Sequence, residues 1–220
     1  MKIINLSKQI LNKELNQVIA SKVYRSLNNP ITNLISGLYL RKKAGRVFLG
    51  LKEHSEEKIE EFFNLIKNDE YLLSLPENSL GRHIYNHGGY QTFREFYLNK
   101  EVYFYTGKNK KLLFYVNNLM NHVKLSHDYW HIMFGYGRTY IDEGCIQAIT
   151  FSALKSFGPL YICLLICISD MLETKNLVGT KTIYKAYKRA QKTKREFFFK
   201  KFDKYLEEDI NEIRKRYGIV

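Results

Sequence analysis

Ser126-His127-Asp128-Tyr129-Trp130-His131 runs into Ile132-Met133-Phe134, breaks at Gly135-Tyr136-Gly137, and resumes as Thr139-Tyr140-Ile141-Asp142-Glu143-Gly144. Apolar residues recur at helical spacing on both sides of the break, so the stretch reads as two helices, 117–134 and 139–157, joined by a glycine-containing turn. His127 and His131 are four residues apart and stack on one helix face, about 40° from each other. Asp128 lies about 100° from His127 and is the i+3 neighbour of His131. Three donors thus share one arc, and a turn that returns the second helix antiparallel allows Glu143 to face them. Two imidazoles with a carboxylate suit zinc, and they also resemble the two-His, one-carboxylate arrangement of non-haem iron. The bland alternative is a pair of hydrogen-bonded core histidines. Against it, burying such groups among apolar and aromatic neighbours with neither metal nor partner is strongly unfavourable.

Outward from this segment the helical period continues. Upstream, Ile3, Leu6, Ile10, Leu11, Leu15, Val18 and Ile19 mark a stripe that Asn28-Asn29-Pro30 ends, and Pro30 opens a second helix through Ile31, Leu34, Ile35 and Leu38. Ser55 reads as an N-cap before Glu56 and Glu57, with Phe62, Phe63 and Ile66 on the buried face. Leu75-Pro76-Glu77-Asn78-Ser79 reads as a turn into a short helix that stops at Gly88-Gly89. Residues 101–115 are ambiguous: Val102-Tyr103-Phe104-Tyr105 has strand composition, yet its flanks are helical. Downstream, Gly158-Pro159 is expected to end the 139–157 helix, and an apolar helix follows to about Leu172. The last forty residues read as one or two long charged helices ending at Gly218. No repeat, low-complexity tract or linker divides the chain. The expectation is a single all-α domain over 1–220, a multi-helix bundle.

Composition narrows the partners. The 220 residues carry 35 Lys+Arg against 22 Asp+Glu, a net charge of +13, which points to nucleic acid or a membrane surface. A hydrophobic content of 45% excludes a largely disordered chain. Cys145, Cys163 and Cys167 sit among apolar neighbours and read as reduced core thiols. The amino terminus has no apolar run of the secretory kind, and the longest apolar stretch, Leu160 to Ile168, is too short to span a bilayer. From Lys181 to Lys204 there are ten basic and two acidic residues, with Tyr184, Tyr187, Phe197, Phe198 and Phe199 interleaved. Such a segment could grip nucleic acid through phosphates and stacked bases, or lie on an anionic bilayer. No zinc-finger, RNA-recognition or helix-turn-helix signature accompanies it.

His127-Asp128-Tyr129-Trp130-His131, eleven residues, then Glu143 is similar to the His-Asp-x-x-His-x11-Glu signature of the coenzyme Q (ubiquinone) biosynthesis Coq-four family. The flanks resemble it too: His131 to Arg138, the Leu75-Pro76-Glu77-Asn78-Ser79-Leu80-Gly81-Arg82 box, and the closing Ile213-Arg214-Lys215-Arg216-Tyr217-Gly218-Ile219. Asp142 departs from the pattern by standing where the family usually has glycine. The amino-terminal third shows little resemblance. A metal-dependent phosphohydrolase, with His83, His87 or His122 as an added ligand, fits this spacing and these flanks less well.

The resemblance implies an all-helical fold with a divalent metal beside a hydrophobic tunnel for a polyprenyl chain. The ligands would be His127, Asp128, His131 and Glu143, with zinc the leading ion and iron, manganese or magnesium as alternatives. It further implies a ubiquinone-biosynthesis protein acting in C1-decarboxylation, oxidative or not, of a prenylated hydroxybenzoate, in organising the biosynthetic enzymes, or in both. Arg82 and Arg138 are candidates for the anionic head group, with helix capping the competing role. Leu160, Leu164 and Ile168 are candidates for the tunnel wall, with ordinary bundle core the competing role. Expected partners are a polyprenyl lipid or quinone precursor, other quinone-pathway enzymes, a membrane surface and a second copy of the chain, rather than nucleic acid. The expected location is peripheral, on the cytoplasmic face of a bacterial membrane or the matrix face of the mitochondrial inner membrane. A non-catalytic polyprenyl-binding scaffold, and a basic nucleic-acid-binding protein, are the alternatives.

Overall fold

The computed structural model describes residues 56–98, 122–123, 125–155 and 157–219. The stripes before Glu56, the Ser55 cap and the ambiguous 101–115 segment lie outside these residues. The described residues are helical: α1 (Glu56–Ile66), α2 (Asp69–Ser74), α3 (Leu80–Asn86), α4 (Gly89–Leu98), α5 (125–134), α6 (Tyr140–Leu154), α7 (Phe157–Thr174), α8 (Val178–Lys192) and α9 (Ile210–Tyr217). Two 3-10 segments, Arg195–Phe199 and Asp203–Tyr205, lie between α8 and α9. Among the described residues no helix is long and apolar enough to cross a membrane.

Helix ends follow from local chemistry. Ser79 caps α3 by accepting the Arg82 N–H at 3.2 Å. Thr139 and Asp142 form a reciprocal capping box at the start of α6: the Asp142 N–H reaches Thr139 Oγ1, and the Thr139 N–H reaches Asp142 Oδ2, each at 3.2 Å. Asp142 therefore has a structural task at the position where it departs from the family pattern. Gly218, in the left-handed region at φ 69°, ends α9.

The core forms where α5 meets the carboxy-terminal segments. Tyr129, Trp130, Met133 and Phe134 are buried against Phe197, Phe198, Phe199 and Phe202. Trp130 meets Phe198 edge-on, with ring centres 5.7 Å apart. On the other side α7 and α8 both pack on α6. A Cβ on Gly144 would stand 2.6 Å from Ile183 Cδ1 and 3.0 Å from Ile166 Cγ2, so glycine lets these three helices close up. The Leu75–Arg82 box serves docking as well. The Leu80 and Gly81 N–H groups donate to Glu208 and Leu206 carbonyls at 2.9 and 2.8 Å, and the Ile210 N–H donates to Asn78 at 2.9 Å.

Three expectations change. The helix carrying Glu143 ends at Leu154, where Lys155 adopts φ 55°, and not at Gly158-Pro159. Gly158 and Pro159 instead lie in the first turn of α7, where a proline gives up no helical hydrogen bond because the first N–H groups have no partner. The charged tail is one regular helix, two 3-10 segments and a short terminal helix. Phe197, Phe198 and Phe199 are buried, so these rings of the basic segment are core and cannot stack on bases.

The C-terminal carbonyls of α5 are held by two guanidinium groups. Arg214 donates to Met133 and Ile132 carbonyls, each at 2.9 Å, and Arg189 donates to the Phe134 carbonyl at 2.9 Å. Charge-assisted bonds to orphan carbonyls at a helix C-terminus also complement its dipole. Arg214→Met should therefore lower unfolding free energy by about 2 kcal/mol, read as an earlier urea midpoint with an unchanged slope. An unaltered midpoint would remove this anchor from the account.

Candidate metal centre

Helix α5 presents His127, Asp128 and His131 on its buried side, and α6 brings Glu143 to meet them. His131 is fully buried, and His127 and Asp128 nearly so. One ligand atom from each of these three lies within 4.8 Å of the others. Glu143 Oε2 is 3.3 Å from His127 Nε2, and its Oε1 is 3.3 Å from His131 Nε2. Asp128 Oδ1 stands 3.8 Å from His127 Nδ1. The turn at Gly135-Tyr136-Gly137, with Gly135 at φ 71°, thus brings Glu143 to face the pair as expected.

Electrostatics follow from this proximity. Burial opposes charge on His127, but hydrogen bonds to Asp128 and Glu143 and their negative charge outweigh it and push its pKa up to about 9. Burial works to raise Glu143, yet the His127 and His131 imidazoles hold its carboxyl well below the usual range. Without a metal the cluster is therefore a compact set of mutually dependent charges.

The donor set fits a divalent cation. Two imidazoles and two carboxylates converge from two helices, a mixed donor set that zinc, manganese and iron can each accept. Asp128 Oδ2 and His131 Nδ1 are also buried without a hydrogen-bond partner among the described residues. In a protein interior such atoms call for a ligand.

The other expected site residues fall in different places. Arg138 sits in the turn between α5 and α6, where its Nη2 donates to the His87 carbonyl at 2.7 Å and its Nε donates to His87 Nε2 at 3.4 Å. Arg82 donates instead to the Leu73 and Leu75 carbonyls at the end of α2, the capping role that competed with head-group binding. Leu164 and Ile168 are 52% and 53% exposed and Leu160 is half-buried, so α7 turns the first two outward. The sequence offered His87 only as one of three added ligands in the less favoured phosphohydrolase reading. Its ring lies 5.8 Å from that of His131, brought there by the end of α3. Burial, then Arg138, lowers its pKa to about 4, so it stays neutral and can accept the Arg138 N–H.

His131→Ala should reduce metal affinity by more than about a hundredfold, beyond what loss of a supporting partner causes, and leave the helical circular-dichroism spectrum intact. The pH dependence has a defined sign. His127 remains protonated up to about pH 9 in the metal-free protein, and a metal must displace that proton. Metal affinity should rise about tenfold per pH unit as pH approaches 9 and level off above it. In metal-free protein, the stabilisation from His127 is fully present below its unfolded value of 6.5 and is lost as pH rises through about 9. A flat affinity profile in calorimetric titrations between pH 6.5 and 9 would contradict this assignment.

Comparisons with known proteins agree with this architecture. A crystal structure of a candidate ubiquinone biosynthesis protein from Nostoc punctiforme PCC 73102 superposes with a TM-score of 0.53 at 18% identity, over 94% of this chain and 98% of that one. At that identity the likeness establishes the fold. No curated protein matches the chain. The sequence family described as Coenzyme Q (ubiquinone) biosynthesis protein Coq4 matches residues 61–220, which include the cluster, the Leu75–Arg82 box and the terminal helix. The chain belongs to that family.

Proposed function

We propose that the protein serves ubiquinone biosynthesis as a metal-dependent protein that binds a prenylated hydroxybenzoate and promotes loss of its C1 carboxylate. The observation that carries this reading is the bridging position of Glu143, 3.3 Å from both imidazoles of a helix that also supplies Asp128. His127, Asp128, His131 and Glu143 would hold the ion. A bound divalent ion supplies Lewis acidity toward a substrate carboxylate or ring oxygen, or, if redox-active, access to dioxygen chemistry in an oxidative version.

The chain's own residues account for orientation. Arg138 commits two contacts to His87 and retains further N–H donors for an anion at the rim of the cluster. Neutral His87 holds that guanidinium beside the imidazoles without adding positive charge of its own. Burial of His127, Asp128 and His131 limits water on the α5 side of the cluster, while Glu143 remains partly exposed on the other. In the decarboxylation itself the bond from C1 to the carboxyl carbon breaks and carbon dioxide leaves. The ring carbon then takes up a proton; in an oxidative version it would instead take one oxygen of dioxygen as hydroxyl, the other leaving as water at the expense of an external two-electron reductant.

The scaffold reading uses the same cluster to fix α5 against α6 and to hold a lipid head group without turnover. The two readings separate by experiment. Purified protein loaded in turn with zinc, manganese and iron(II) should release carbon dioxide from a prenylated hydroxybenzoate. Arg138→Met should raise KM about tenfold or more, the loss of a charge-assisted contact, with a smaller change in kcat. Stoichiometric binding without turnover for every metal would favour the scaffold and overturn the catalytic reading.

A further inference from the structure

His87 closes α3 as its C-cap, at φ −82° and ψ 5°. Its carbonyl, an orphan acceptor at a helix end, takes the Arg138 Nη2 N–H at 2.7 Å and the Thr92 hydroxyl at 3.5 Å. Its Nε2 accepts a second Arg138 bond, from Nε at 3.4 Å, so one residue seats the guanidinium at two points. Gly88 leaves room for that seat. It sits at φ 102°, and a Cβ there would stand 2.4 Å from Thr92 Oγ1 and 3.7 Å from Arg138 Nη2. The His87 ring in turn lies 5.8 Å from the His131 ring, tilted by 32°.

The charges around the cluster give this arrangement a consequence. Asp128 and Glu143 together match the charge of a divalent ion, and imidazoles that ligate an ion are neutral. Asp142 commits its carboxylate to the capping box at the positive end of α6, while Arg189 and Arg214 answer the negative end of α5. Among the described residues Arg138 is then the positive side chain left at the rim. A nitrogen that accepts an N–H carries no proton, so His87 adds no charge there. One surplus positive charge matches a carboxylate, whereas a phosphate monoester carries nearly two negative charges near neutral pH. Plain helix capping, the task of Arg82 at α2, explains Arg138 less fully. Arg82 bonds to carbonyls, while Arg138 also bonds to a side chain that lies against a ligand imidazole.

We propose that His87 is a specificity-determining residue: by seating the Arg138 guanidinium while staying uncharged, it fits the site to a singly charged aromatic carboxylate over a doubly charged phosphate ester. His87 acts through Arg138 and is a positioning residue. Arg138 has spent two of the five N–H donors of a guanidinium on His87 and offers the rest to the head group. The ligand class rests on the prenylated-hydroxybenzoate reading, and the assignment adds how its head group is chosen. A cation in place of His87 would remove the acceptor, repel Arg138 and bring a second positive charge to the rim.

Calorimetric titration of the zinc-loaded full chain with 4-hydroxybenzoate and with phenyl phosphate, at about pH 8 where the ester is doubly charged, tests it. His87→Phe keeps a ring beside His131 but has no acceptor, and should weaken 4-hydroxybenzoate about tenfold. His87→Gln, whose amide oxygen accepts the same N–H, should recover most of that loss. In an Arg138→Met background His87→Phe should cause no further loss, since nothing remains for it to position. His87→Lys should shift the ratio of the two affinities about tenfold or more toward phenyl phosphate. Zinc content by elemental analysis should match wild type in each variant. An unshifted ratio in His87→Lys would overturn the assignment, as would a His87→Phe loss that persists without Arg138. So would loss of zinc from His87→Phe, which would make the ring a support for His131 alone, or a wild type that binds no 4-hydroxybenzoate. The expected binding results with no carbon dioxide released from a prenylated hydroxybenzoate would retire the decarboxylation and still support this role for His87.

Discussion

The contact between Glu143 on α6 and the two imidazoles on α5 is the constraint around which the protein is arranged. Buried imidazoles and carboxylates are tolerated only when they satisfy one another or a metal. That requirement fixes the relative placement of two helices to within a hydrogen-bond length. Each end of the pair is correspondingly secured. Arg189 and Arg214 hold the carboxyl end of α5, the Thr139–Asp142 box caps α6 in the turn that leads to Glu143, and Gly144 lets α7 and α8 close on α6 immediately behind it. Much of the distant chain therefore serves the cluster without touching it. The terminal helix supplies a guanidinium, and the Leu75–Arg82 box fastens that terminal region to α3 through backbone hydrogen bonds.

The cluster was legible in the sequence because its geometry is local. Two histidines four apart and one adjacent aspartate are placed by a single helix, and Glu143 needs only one turn more. His87 was not legible in the same way. It reaches His131 through the packing of α3, and neither spacing nor periodicity encodes that approach. Arg82 was ambiguous for a different reason, since a guanidinium that binds anions binds carbonyls equally well, and the carbonyls of Leu73 and Leu75 are nearer. Gly158-Pro159 carried a real signal of a helix boundary but not its direction, because proline is compatible with the turn after one helix and with the first turn of the next.

Charge and apolarity are separated in a way that composition hides. The cluster is acidic and histidine-rich, while among the described residues the basic excess lies on α8 and the segments after it. Within that basic region the aromatic residues divide: Tyr184 remains outside, whereas Phe197, Phe198 and Phe199 close the core over Tyr129 and Trp130. A reading of the region as one aromatic-basic surface joins residues that the fold places on opposite sides of the packing boundary. The outward leucine and isoleucine of α7 show the converse, since an apolar helix that looks like bundle core leaves one full stripe uncovered.

The central claim is that α5 and α6 together hold one divalent ion through His127, Asp128, His131 and Glu143. X-ray absorption of the metal-loaded protein tests it most directly. The account predicts one ion per chain, with two imidazole nitrogens at about 2.0–2.1 Å if the ion is zinc, the remaining ligands oxygen, and no sulfur. A thiolate shell, a single imidazole, or a shell of oxygen alone would contradict it.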